Sequence, residues 1–129
     1  MNARAQTILR LDGAAASVAG LSMLAAREWL SALHAFAPAL LLFMALSNLA
    51  YASYSGTLAV RAYLSKVPTR PAIDVLVIAN FVWVAVCCAI IAVTWRSATT
   101  YGLAHVALEG AFVGGLALAE FWLVRPFAR

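Results

Sequence analysis

The sequence predicts an all-α, polytopic membrane protein: a four-transmembrane-helix bundle with both termini on the cytoplasmic side. Three observations carry that reading. Four long runs, residues 8–26, 36–60, 73–95 and 101–124, are filled by aliphatic and aromatic residues. Each is long enough to cross a hydrocarbon core of about 30 Å, which takes about 20 helical residues. The chain is 65% hydrophobic and 11% charged, with a mean hydropathy of +0.92. Soluble domains carry about 25% charged residues, so this inventory cannot build a water-facing surface. Finally, the basic residues gather on one side of the membrane. Arg4, Arg10, Arg61, Lys66, Arg70, Arg125 and Arg129 fall on one side of four spans, and only Arg27 and Arg96 on the other. The positive-inside rule then places both termini in the cytoplasm, and three or five spans would destroy the asymmetry.

Residues 1–129 form a single four-helix transmembrane domain, because the segments between spans are too short for a soluble module. The first span is expected at about 7–27. Asp12 and Gly13 interrupt its apolar run and no small-x-small cleavage site follows, so it reads as a true span rather than a signal peptide. The second is expected at about 33–64, with Pro38 near its start, where a missing N–H matters little. Pro68 and Pro71 close the longest connection and begin the third, about 71–96. The Lys and Arg of that connection suit anionic lipid. Ser97 or Thr100 is positioned to cap the fourth helix, about 99–124. Trp29, Trp95 and Tyr101 mark one membrane boundary, and Tyr54, Tyr63 and Trp122 the other. Trp83 breaks this pattern by falling near mid-span.

Lipid supplies little hydrophobic drive between helices, so small residues mark packing faces. Gly110-x-x-x-Gly114 in the fourth helix and Gly13-x-x-x-Ser17 in the first are such faces, for the bundle itself or for a homodimer. The expected partners are the lipid bilayer and that second copy. Basic residues lie at membrane edges rather than in one patch, which is no nucleic-acid footprint.

Polar groups inside a membrane need a partner or a task. At 1.5 Å of rise per residue they fall in two layers. The inner layer holds Asp12, Asn48, Tyr51 and Asn80, with Glu120 slightly nearer the cytoplasm. An Asp there is either the centre of a hydrogen-bond network that fixes helix register or a cation- or proton-exchanging site. The outer layer holds His105, Glu109 and Cys87, with Cys88 and Met23 near the same level. His105 and Glu109 are four residues apart and share a helix face, as an outer gate or relay requires. Heptad spacing aligns Asn80, Cys87 and Thr94 in one stripe and His34, Leu41, Asn48 and Ser55 in another.

No cofactor is assigned. A metal on His105, Glu109 and a cysteine would combine N, O and S donors, yet no CxxC or HExxH spacing is present. A bis-histidine haem needs His34 and His105 at one depth, and the helical ruler separates them by about 8 Å. Phosphate-cradling loops, nucleophile elbows and triads are missing from the sequence.

The opening Ile8-Leu9-Arg10-Leu11-Asp12-Gly13, the Asn80-x-x-Trp83 of the third span and the short Ala-rich helices resemble the small four-span inner-membrane proteins of bacteria that have no assigned function. The resemblance implies architecture and a bacterial inner membrane, and carries over no catalytic residue. The leading expectation is a small ion or small-solute transporter or channel-like protein. Asp12 would be its coupling acid, with Asn48, Tyr51 and Asn80 as ligands. The alternatives are a non-catalytic subunit or lipid-binding scaffold, and a metal or haem redox protein.

Overall fold

A computed structural model describes residues 1–129. The chain is helical almost throughout, in the order α1 (Ala3–Ala25), α2 (Arg27–His34), α3 (Pro38–Tyr63), α4 (Arg70–Thr94) and α5 (Thr100–Ala119). A π-helical turn, Glu120–Val124, and a 3-10 turn, Arg125–Phe127, extend α5. α1, α3, α4 and α5 with its extension are long and apolar enough to span a membrane. Only 32 of 129 residues are buried, and the outward positions include Val18, Leu21, Leu46, Ile78, Val93 and Leu108. Such an outer surface is stable only against lipid.

Local chemistry explains the boundaries. Asn2 caps α1, its side-chain oxygen accepting the N–H of Ala5 at 2.8 Å. α3 and α4 each begin with a proline in the first turn, Pro38 and Pro71, where no N–H is needed. Thr99, rather than Ser97 or Thr100, caps α5 by accepting the N–H of Gly102 at 3.2 Å. The largest departure from expectation is α2. Residues 27–34 form a separate helix that ends at Ala35 in the left-handed region, φ 54°. The second span therefore begins at Pro38 and not near residue 33. His34 accordingly lies on a different helix from Leu41, Asn48 and Ser55, which do share one buried face.

The spans form two pairs. α1 runs along α3 and α4 along α5, and the pairs meet mainly near their ends. Glycine allows the close approach within each pair. A Cβ on Gly13 would lie 3.1 Å from the backbone of Gly56 in α3, and one on Gly110 would lie 3.2 Å from Cβ of Cys87 in α4. Both small-residue faces thus pack within the chain, and Ser17 returns its hydroxyl to the carbonyl of Gly13 at 2.7 Å.

Two apolar clusters hold the pairs together. Near the termini, Ala5 and Leu9 of α1 pack with Leu58, Ile73, Leu76 and Val124. At the opposite end Met23, Leu41, Met44, Ile90 and Val106 form the second. α2 braces that end: the Thr99 hydroxyl donates to the carbonyl of Leu33 at 2.7 Å, and the Thr99 N–H to that of His34 at 3.0 Å. At the terminal end Arg125 pairs with Asp74 of α4, its second contact at 3.3 Å, and the N–H of Arg129 reaches the carbonyl of Pro68 at 3.1 Å. The polar residues lie between the two clusters.

Candidate functional site

Between the helix pairs lies a cavity of about 240 Å³, lined by residues from all four spans. Asp12 of α1, Asn48 and Tyr51 of α3, Asn80 and Trp83 of α4 and Glu109 of α5 supply its polar groups. Alanines, Val113 and Leu116 supply most of the remaining wall. Val82 and Phe112 line it too and are exposed on the outer surface, so the cavity reaches the lipid-facing side near mid-span.

Each acid has a defined partner. Tyr51 donates its hydroxyl to Oδ2 of Asp12 at 2.8 Å. Glu109 receives two N–H groups on one oxygen, Oε1: the amide of Asn48 at 3.0 Å and the indole of Trp83 at 2.9 Å. Its other oxygen, Oε2, is buried without a hydrogen bond and faces Nε2 of His105 at 3.7 Å. Glu120 is wholly buried, heads the π turn, and accepts from the Asn80 amide on Oε2 at 2.9 Å, leaving Oε1 without a partner. π turns inserted in α-helices are frequent at functional sites.

Charge balance is the unusual property of this site. None of the nine Lys and Arg residues is buried. Asp12, Glu109 and Glu120 therefore lie between apolar clusters with no buried cation beside them, and Asp12 and Glu120 are close enough to repel each other when both are charged. A lone carboxylate at the bilayer centre costs about 2.5–3.5 kcal/mol on insertion scales. Two routes remove that cost: the group takes up a proton, or it holds a cation.

The sequence-selected residues are distributed clearly. Asp12, Asn48, Tyr51, Asn80 and Glu109 line one cavity. Glu120 lies behind Asn80, and His105 beside Glu109. The two layers of the helical ruler are in contact, since Asn48 of the inner layer bonds Glu109 of the outer. Cys87 is buried in the apolar cluster beside Gly110, away from the cavity lining, and Cys88 is exposed. No three His, Cys, Asp or Glu side chains converge as metal ligands would.

Two residues take parts that the sequence reading did not give them. Trp83 was read as an aromatic outside the boundary belt and as part of Asn80-x-x-Trp83; its indole N–H is a site donor. His34 meets His105, with Nε2 3.5 Å from Nδ1 and ring centroids 4.9 Å apart at 75°. The 8 Å depth difference expected for this pair fails because α2 is not an extension of α3, so rise along one helix does not set its depth. Burial holds the His34 imidazole below its ordinary value of 6.5, and the adjacent His105 acts in the same sense.

The fold and this site define a small four-span integral membrane protein. No protein-family model matches the chain, and no curated protein or solved structure is significantly similar to it.

Proposed function

We propose that this protein is a small carrier for a cation, either a proton or a small cationic solute, with Asp12 and Glu109 as its exchanging groups. The observation that supports the reading is the central cavity: all four spans contribute to it, it holds two carboxylates, and no buried Lys or Arg neutralises them. A carboxylate so placed alternates between a protonated state and a cation-bound state, because the bare anion is costly in hydrocarbon. Tyr51, Asn48 and Asn80 supply oxygen atoms for a partly dehydrated cation. The apolar wall limits the water that follows it.

The two-pair construction supplies the moving parts. The pairs touch chiefly at their ends, so parting either apolar cluster opens the cavity to one side of the membrane. The positive-inside pattern puts the terminal end in the cytoplasm.

The test uses purified protein in liposomes loaded with a pH-sensitive dye. Gradients of H⁺, Na⁺, K⁺ or tetraethylammonium are imposed across the vesicle wall. At least one gradient is expected to drive a dye response that Asp12→Asn abolishes while helix content and elution volume stay unchanged. Wild-type vesicles as tight as empty ones under every gradient would overturn the reading.

A further inference from the structure

The row His34, His105, Glu109 runs from the α2 end of the bundle to the cavity wall. His105 stands between the other two, with His34 on its Nδ1 side at 3.5 Å and Glu109 on its Nε2 side at 3.7 Å. A chelated metal would need ring nitrogens and carboxylate to converge on one point. Here the two neighbours sit on opposite nitrogens of the same ring, which is the arrangement of a conductor.

The partners fix the tautomers. A neutral imidazole carries one N–H, and a buried N–H without an acceptor is costly. Nδ1 of His34 is buried with no partner, so its proton belongs on Nε2, pointing at Nδ1 of His105. The proton of His105 is then on Nε2, facing Oε2 of Glu109. That oxygen is the unpartnered one, because Asn48 and Trp83 both occupy Oε1. Donor, acceptor and polarity agree along the whole row, and it ends on a carboxylate.

We infer that His34 and His105 form a proton wire that loads and unloads Glu109 from the α2 end of the protein. Nδ1 of His34 is sealed at rest, so a proton from water adds there, as a new N–H bond, only when α2 moves to expose that nitrogen. The Nε2–H of His34 breaks as Nδ1–H of His105 forms, and the Nε2–H of His105 breaks as Oε2–H of Glu109 forms. One proton has entered and one has been delivered; both rings have changed tautomer, and Glu109 is neutral. Unloading is the same sequence reversed, which restores both tautomers without rotating a ring. The 3.7 Å gap is longer than a hydrogen bond, so the last transfer waits for the ring of His105, 31% exposed at its side chain, to close on the carboxylate. Burial lowers the proton affinity of the His34 ring, which favours passing a proton on over holding it.

Asp12 of α1 and Tyr51 of α3 share the cavity with Glu109, and few other titratable groups are near. Cys87 of α4 lies beside Gly110, next to Glu109 in α5. Arg27 and Glu28 of α2 pair with each other at 2.9 Å at the surface, and Arg96 lies over Trp95. Phe36, the remaining ring against His34, does not titrate.

This inference deepens the carrier reading and rests on it for its purpose, but its test needs no transport. Protein in lipid nanodiscs is acidified by rapid mixing and followed by infrared spectroscopy. The carbonyl band of protonated Glu109 is identified by its loss in Glu109→Gln. In His105→Gln that band is expected to grow at least about tenfold more slowly, since a positioned acid–base group is typically worth 10²–10⁴ in rate. His34→Gln is expected to slow it as well. Independently, ¹⁵N spectra of wild-type protein are expected to show His105 protonated on Nε2 and bare on Nδ1, a readout that no variant can spoil. An unchanged rate in His105→Gln, or the opposite tautomer in the wild type, overturns the wire. Flux without the wire signature would leave the carrier standing; the signature without flux would remove the carrier alone.

Discussion

The indole of Trp83 donates to Glu109 from mid-span of α4, at 2.9 Å, and does so on the same oxygen that Asn48 of α3 occupies. One carboxylate thus ties three helices and both helix pairs together. Its other oxygen remains available.

Trp83→Phe keeps most of the ring volume and removes the N–H. A hydrogen bond to a charged group is worth about 1.5–3 kcal/mol, and Asn48 retains half of the anchorage. Unfolding in mixed detergent micelles is expected to show a loss of about 1–2 kcal/mol. Trp83→Ala should lose more, because the indole body is removed as well.

Glycine substitutions should separate sharply by position. At Gly102 an added Cβ would lie 2.7 Å from the backbone oxygen of His34, which cannot yield without displacing α2. Gly102→Ala is expected to destabilise by about 1–3 kcal/mol, the usual cost of overpacking. Gly115 has open space around its missing Cβ, and Gly115→Ala should be neutral or stabilising by up to about 1 kcal/mol through helix propensity. Thermal melts of the two variants beside wild type decide this.

The pH dependence carried by His34 has a definite sign. Its folded value is depressed by burial, so the unfolded chain binds the proton more readily. Stability contributed by the neutral ring is present above about pH 6.5 and is lost as pH falls from there toward the depressed folded value. Melting temperatures measured from pH 8 to 5 should therefore fall less steeply in His34→Gln than in wild type. Equal slopes would show that folding leaves the proton affinity of His34 unchanged.

The two cysteines should label differently. Cys88 faces outward and Cys87 is buried in an apolar cluster. N-ethylmaleimide, which enters bilayers, is expected to modify Cys88 alone in the native protein and both thiols after denaturation in SDS, as read by mass spectrometry.

Much of this structure was legible because a bilayer leaves the chain few choices. Run length and the distribution of Arg and Lys were enough for four spans, since only helices satisfy every backbone group in hydrocarbon. Burial of Asp12, Asn48 and Asn80 followed from their polarity alone. The pairing was not legible. Whether Asn48 meets Asp12 or Glu109 depends on helix rotation and on side-chain reach, neither of which a depth ruler contains. α2 was missed for a related reason. Residues 27–34 are short and amphipathic, and their helical state is fixed by bonds to Thr99, 65 or more positions further along the chain. The sharp end at Ala35 has no glycine or asparagine to announce it.

The π turn at the end of α5 works as a phase shifter. The N–H of Arg125 reaches back five residues to the carbonyl of Glu120 rather than four. Everything after the turn is therefore rotated by one residue, about 100°, relative to an uninterrupted α-helix. That rotation aims Arg125 at Asp74 and sets Val124 against Ala5 and Leu9. Deleting a single residue among Phe121, Trp122 and Leu123 would let the backbone relax into a regular helix and would make its local hydrogen bonding more ordinary. The same deletion would swing the tail's guanidinium and its anchoring valine off their targets. A locally better helix would then belong to a looser protein, with the terminal seal over the cavity undone.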